Sequence, residues 1–256
     1  MNRKSLSIAT LVLGLLAWPL AASAQLKVII SGGFSGPYEQ LLPAFERSTG
    51  IKVTTGSGAS QGTGPQTIAA QLAGGAAFDV VILSRPGLDD LIAANRIAPG
   101  SGVDLARTPL GVAVRAGAAK PAVRTVEDFK ALVTKAKLVA MPGSTSGIFL
   151  TKEVFPRLGI ADKVSVRMTP RGSGATDMVA SGEADVAVMP VSEIMHAKGV
   201  EMVGVIAEEI QFHQVFSGAI VQGSQQAEAA RKLLAFLASA DAAAAIRAGG
   251  MEPLGR

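Results

Sequence analysis

The chain has no cysteine, one tryptophan, one tyrosine and only two histidines among its 256 residues. Without cysteine there is no disulfide framework, no thiolate nucleophile and no cysteine metal site. Aromatic residues make up 4% of the chain, too few for a carbohydrate platform of stacked rings. Neither His196 nor His213 stands at a carboxylate spacing that suits a metal site. His196 falls late in a short helical segment, where a dipole interaction or simple exposure accounts for it. His213 borders a strand that could cross between lobes. The Gly-Ser-Gly and Ser-x-Ser strings come without the partners that a nucleophilic-serine elbow needs. Charge is also sparse: 24 basic residues face 20 acidic ones, and no basic run or basic-aromatic alternation points to nucleic acid.

The first 24 residues read as a cleavable secretory signal. Arg3 and Lys4 give a basic start, residues 6–16 an apolar run, and Ala22-Ser23-Ala24 a small-x-small cleavage site. The run is too short to span a bilayer. No later stretch is apolar enough to anchor the chain, and no cysteine follows the signal to carry a lipid. The mature protein is therefore expected from Gln25, in the periplasm. Removal of Arg3 and Lys4 lowers the formal net charge from +4 to +2.

From there the pattern alternates strand, loop and helix. Residues 26–30 are almost wholly apolar, as a strand buried on both faces requires. Residues 31–37 (Ser-Gly-Gly-Phe-Ser-Gly-Pro) follow as a loop, and a helix is expected from Pro37 to about Ser48. A strand at 51–53, a small polar loop at 56–64, a helix at 65–73 and a strand at 79–83 come next. A loop at 84–87 and a helix to about 94 complete this half. Further strands are expected at 110–115, 138–141, 164–168, 185–189, 200–206 and 214–221. Further helices are expected at 126–133, from the 142–147 loop to about 158, and at 175–181, 226–237 and 240–248. Such alternation argues for parallel strands covered by helices on both faces.

The chemistry concentrates in four loops that end strands and start helices, at 31–37, 56–64, 142–147 and 169–174. Each is rich in glycine and hydroxyl residues. A helix N-terminus offers unpaired backbone N–H groups and partial positive charge, glycine admits a ligand close to the backbone, and hydroxyls add donors. One such loop is an ordinary helix cap. Four on one α/β scaffold, where ligands bind outside the carboxyl ends of strands, point to capture of an anion. Arg85 and Arg171 lie in strand-to-helix loops, where a guanidinium can grip a carboxylate with two parallel bonds. Asp79, Asp177 and Glu183 read as capping or exposed charges. No general base is evident in the pattern.

The mature sequence resembles the molybdate-type periplasmic solute-binding proteins of ABC transporters. The resemblance is carried by the opening strand and loop, Gly50-Ile51-Lys52-Val53, the stretch 68–81, Ser146-Gly147-Ile148-Phe149-Leu150-Thr151-Lys152-Glu153, and the stretch 182–188. It implies an α/β type II periplasmic-binding-protein fold, with two lobes joined by crossing strands and each lobe a mainly parallel sheet with helices on both faces. The lobes would span 25–109 with 216–256, and 110–215. By position it places donors at Gly33, flanked by Ser31 and Ser35, among Ser60, Gln61 and Thr63, at Ser146, and near Gly172. Closure would bring Ser31, Ser35, Ser60 and Arg85 against Thr145, Ser146 and Arg171.

Two departures shift the expected ligand. Pro190 stands where a tyrosine commonly donates to molybdate, and Arg171 puts a full charge where a tetrahedral oxyanion site avoids one. These favour an organic di- or tricarboxylate over molybdate, delivered by a monomeric receptor to an inner-membrane ABC permease without cofactor or metal. A second function class is a cofactor-free isomerase on the same scaffold, because aconitate isomerase is similar in sequence to molybdate-binding proteins. The loops support binding more directly than catalysis.

Overall fold

The computed structural model describes residues 25–255; the expected signal peptide lies outside them. The chain opens with β1 (Gln25–Ile30), α1 (Gly32–Thr49), β2 (Lys52–Ser57), α2 (Ile68–Ala73), β3 (Val80–Ser84), α3 (Arg85–Ala93) and β4 (Val103–Thr108). It then enters a second sheet with β5 (Leu110–Arg115), α4 (Val126–Lys135), β6 (Val139–Pro142) and α5 (Thr145–Phe149). A π turn at Leu150–Val154 carries α5 into α6 (Phe155–Arg157). Next come β7 (Val166–Thr169), α7 (Gly172–Ser181), β8 (Val186–Pro190), α8 (Val191–Ile194) and β9 (Val200–Val205). The chain returns with β10 (Gln214–Ile220), α9 (Ala227–Leu237), α10 (Ala243–Ala248) and β11 (Glu252–Pro253).

The first sheet runs β11-β4-β10-β3-β1-β2 and the second β7-β6-β8-β5-β9. The two-sheet α/β architecture is the one the sequence led us to expect. Both sheets are mixed rather than mainly parallel. In the first, β1 pairs in parallel with β2 and β3, while β10 runs antiparallel to β3 and β4. In the second, β6 is parallel to β7 and β8, while β5 is antiparallel to β8 and β9. Antiparallel pairing enters where the chain changes sheet, because a strand arriving from the other lobe meets its neighbour head to tail. Gln214 and Val215, expected in the second lobe, pair with Thr108 and Arg107 in the first sheet. β4 and β11 were not anticipated: β4 interleaves charged and apolar residues, and β11 is two residues long.

The strand period decides which side chain feeds which core layer. In β3, Val80 and Ile82 pack with Phe34, Tyr38, Phe45 and Leu233 from α1 and α9. Val81 and Leu83 pack on the opposite face with Ile68, Leu72, Leu88 and Leu91 from α2 and α3. A strand covered on both faces must be apolar throughout, which is why this segment carries no alternation. In the second sheet one face is large and one small. Val112, Val139, Met141 and Val188 meet Phe129, Val133, Leu150 and Phe155. On the other side Ala113, Ala140 and Ala187 meet Ala175 and Val179 of α7. Alanines there let α7 lie close to the sheet and bring its first residues to the lobe boundary.

Three segments expected as loops are the opening turns of helices. α1 starts at Gly32, five residues before Pro37. α3 starts at Arg85, with the Ser84 hydroxyl accepting from the Gly87 N–H. α7 starts at Gly172 rather than Ala175. Glycine usually marks a helix boundary, but here it allows closeness. A β-carbon on Gly33 would lie 2.0 Å from Cζ of Phe216, whose ring is buried in the core. Gly33→Ala is therefore expected to lower stability by about 1–3 kcal/mol, the usual cost of overpacking, as measured by urea denaturation. An unchanged midpoint would mean that the ring or the helix shifts freely.

Candidate functional site

The carboxyl ends of β1, β6, β7 and β8 meet between the two sheets, and the helices that follow them start there. The resulting cleft is lined by Ser31, Gly32 and Gly33 at the head of α1, by Gly58, Ala59 and Ser60 beyond β2, and by Gln214 and Phe216 of β10. From the second lobe come Pro142, Ser144, Thr145, Ser146, Pro170, Arg171, Gly172 and Glu193. The starts of α1, α5, α7 and α8 thus converge on one space, and the first turn of a helix offers N–H groups without intrahelical i−4 partners.

Two buried polar atoms in this wall have no protein partner. Ser31 is 4% exposed, holds the N-cap position of α1 without capping it, and leaves its hydroxyl unpaired. Gln214 is also 4% exposed, and its side-chain Oε1 is unpaired. Leaving a buried polar group unsatisfied costs about 1–3 kcal/mol, so such groups mark places where something else binds. Ser60 accepts from the Ser84 N–H at 2.9 Å, which leaves its own hydroxyl proton to donate.

The lobes are closed on each other. Thr145 Oγ1 donates to Gln61 Oε1 at 3.0 Å and lies 2.6 Å from Ser84 Oγ. Since Thr145 has one hydroxyl proton, Ser84 is the donor of that second bond. The Gln61 N–H donates to Ser144 Oγ at 3.2 Å, and Arg171 Nη1 donates to Ser57 Oγ at 2.8 Å. At the crossing, the Gln211 amide bonds both the N–H and the carbonyl of Leu110 as well as the Ile206 carbonyl. About 20 Å³ of the closed cleft admits the centre of a water molecule, so a larger ligand enters by parting the lobes.

One ionisable group in the wall is strongly perturbed. Glu193 lies on α8, immediately after β8, and its Oε2 is wedged between the Gly32 and Gly172 backbones. A β-carbon on Gly172 would fall 2.0 Å from that oxygen, so glycine is required for the approach. Burial raises the Glu193 pKa to about 7, against the opposing pull of the Arg171 charge and of the Gly172 N–H. A carboxyl group of this kind is half ionised near neutrality. It can take a proton from carbon and return it.

The expected site residues divide into three groups. Ser31, Gly33, Ser60, Thr145, Ser146, Arg171 and Gly172 line the cleft. Gln61 serves as an interlobe latch, with its amide Nε2 donating to Asp90 at 2.7 Å. Ser35, Thr63 and Arg85 are placed elsewhere. The Ser35 hydroxyl donates to the Gly32 carbonyl and faces an outer groove, because α1 has already begun and turns it away. Thr63 is exposed in the loop before α2. The Arg85 guanidinium is 42% exposed and satisfied by Asp89 and Asp104, both at 3.0 Å. His213 is exposed and 3.0 Å from Glu208, and His196 lies in the outer groove.

Sequence reasoning missed Glu193, Gln214, Phe216, Ser57, Ser84 and Ser144. For Glu193 a signal was present: Pro190-Val191-Ser192-Glu193 follows a strand's carboxyl end, as the other site segments do, but without glycines. Among the described residues, no group of three or more histidine, aspartate or glutamate side chains comes together as a metal site.

Comparison with known proteins agrees with this fold. The family model for bacterial extracellular solute-binding proteins matches residues 26–252. An aconitate isomerase from Pseudomonas sp. is 38% identical over 256 residues, covering 96% of this chain and 97% of that protein. The periplasmic molybdate-binding protein of Azotobacter vinelandii has the same fold, with a TM-score of 0.67, 22% identity and coverage of 88% of this chain and 98% of that one. A sulfate-binding protein from Mycobacterium tuberculosis gives a TM-score of 0.71 at 19% identity, covering 90% and 87%. With the family model spanning nearly all described residues, the chain belongs to the bacterial extracellular solute-binding protein family.

Proposed function

We propose that this protein holds a small unsaturated tricarboxylate in the interlobe cleft and shifts a proton along it, as an isomerase of the aconitate type. The observation that carries the reading is Glu193, a carboxyl group with a pKa of about 7 set in an anion-binding cleft beside Arg171. In its ionised form such a carboxyl repels a carboxylate ligand, a cost that binding alone does not require. A proton-shifting enzyme needs such a base.

The chemistry is compact. The ionised Glu193 takes a proton from the methylene carbon that lies between a carboxylate and the carbon–carbon double bond. The electron pair left behind spreads over the three-carbon skeleton into its carboxylates. Arg171, the unpaired Ser31 hydroxyl and first-turn N–H groups of α1 and α5 hold those carboxylates and the charge they gain. Protonated Glu193 then delivers a proton to the former vinylic end carbon, and the double bond moves by one position. One hydrogen and one double bond have shifted, and composition is unchanged. The step asks for a base and anion holders only.

The 38% identity to a Pseudomonas aconitate isomerase supports the same reading. The family fold supports a second one, in which the clamp works without turnover as the periplasmic receptor of an ABC permease. A thermal-shift screen against cis- and trans-aconitate, citrate, sulfate, molybdate and tungstate, followed by proton NMR of the aconitates, separates them. Stabilisation by the aconitates with interconversion is expected. Stabilisation without conversion would favour the receptor, and a response to molybdate or tungstate alone would overturn the isomerase and make the receptor one for an inorganic oxyanion.

A further inference from the structure

Glu193 has a second face. Beside the cleft, and separated from it by the same side chain, lies an outer groove of about 430 Å³ between the start of α1, the start of α7 and the turn after α8. Gly32, Arg171 and Glu193 border both spaces. The cleft is nearly filled when the lobes close, whereas the groove stays open to solvent. The groove is polar along its length. α1 contributes Glu39, α7 contributes Asp177, and the turn after α8 contributes His196 and Lys198. Ser192, next to Glu193 in sequence, also lines it, and its buried hydroxyl has no protein partner. Ordered water is the partner open to such a hydroxyl. At the mouth of the groove, the β-carbon position of Gly36 is 3.7 Å from the His196 ring and otherwise unobstructed.

We propose that this groove is a proton-exchange port, through which Glu193 trades the proton it has taken from the substrate for one from solvent while the cleft stays closed. The port's catalytic consequence rests on the isomerase reading. The balance is simple. Glu193 carries a proton from the substrate methylene carbon, passes it to groove water, receives another, and delivers that one to the far carbon. A carboxyl group sealed in the cleft would return the same hydrogen. One open to the groove returns a solvent hydrogen.

Isomerisation in deuterium oxide distinguishes the two. The wild-type product is expected to carry one solvent deuterium at the newly protonated carbon in most turnovers. Gly36→Leu, which places a bulky side chain over the groove mouth on an exposed helix face, is expected to raise retention of the original hydrogen several-fold. A wild-type product that keeps its original hydrogen would overturn the port. A second measurement does not depend on turnover: with 13C-labelled glutamate, the Glu193 carboxyl resonance is followed against external pH in the ligand-free closed protein and with citrate added. The port requires that resonance to titrate within minutes, and more slowly in Gly36→Leu. Titration without any aconitate conversion would leave the port standing and sink the isomerase, while a carboxyl that ignores external pH would sink the port alone.

Discussion

Glu193→Gln is expected to abolish aconitate interconversion while sparing the binding of aconitate. Glutamine keeps the shape of the side chain, and its Oε1 can still accept from the Gly172 N–H beside it. It cannot take a proton from carbon. Positioned bases contribute on the order of 10²–10⁴ in rate, so kcat should fall by at least that lower figure. The thermal shift given by trans-aconitate should persist, since the anion holders are untouched. Conversion within about threefold of wild type would remove Glu193 as the base and with it the observation on which the isomerase reading rests.

The same substitution has a pH signature in the ligand-free protein. The folded pKa of Glu193, about 7, lies above its ordinary value of 4.5. A group raised in this way favours the folded state fully below pH 4.5, and the advantage is lost as pH rises through 7. The whole effect is at most about 3.5 kcal/mol, because each pH unit between those two values is worth about 1.4 kcal/mol. Wild type should therefore lose stability between pH 5 and 8 more steeply than Glu193→Gln. Isomerase activity should rise over the same interval, because the ionised form is the base. Stability and rate thus move in opposite directions with pH, which an active site strained for function produces and a structural salt bridge does not.

Why the fold was legible and the proposed base was not follows from what each demands of the sequence. A strand buried on both faces must be largely apolar, so the strands expected at 79–83 and 185–189 match, within a residue, Val80–Ser84 and Val186–Pro190. Helices that begin at a cleft were harder. Glycine at Gly32, Gly33 and Gly172 looked like loop composition, whereas its purpose is contact with Phe216 and Glu193, which lie far away in the chain. Much of the cleft lining was readable because hydroxyls and glycines cluster within single segments. Arg85 misled because an arginine in a strand-to-helix turn looks the same whether it grips a ligand or, as here, Asp89 and Asp104. Glu193 is one glutamate among many, and what sets it apart is its half-buried place between two backbones, at Gly32 and Gly172, that are remote from it in the chain. No local pattern records that.

Arg171→Ala is expected to weaken polycarboxylate binding by about 1.5–3 kcal/mol, the value of a hydrogen bond to a charged group, or roughly 10- to 150-fold in Kd by calorimetry. Arg171 stands at the N-cap of α7 without capping it, and its guanidinium reaches across the cleft to Ser57. The truncation therefore removes both a carboxylate partner and one tie between the lobes. Arg171→Lys separates these contributions: it restores the charge but not the planar fork, so affinity should recover only in part. A further consequence identifies Arg171 as more than a clamp. Its positive charge opposes the rise in the Glu193 pKa, so its loss should move the rising limb of the activity profile to higher pH. A merely structural arginine would lower stability without moving that limb. Unchanged affinity in Arg171→Ala would take the residue out of the site. Weakened affinity with an unmoved pH profile would keep it as a ligand holder and sever it from the base. Both changes together would tie substrate recognition and base strength to one side chain, which is how a solute-binding cleft becomes a catalytic one with few new residues.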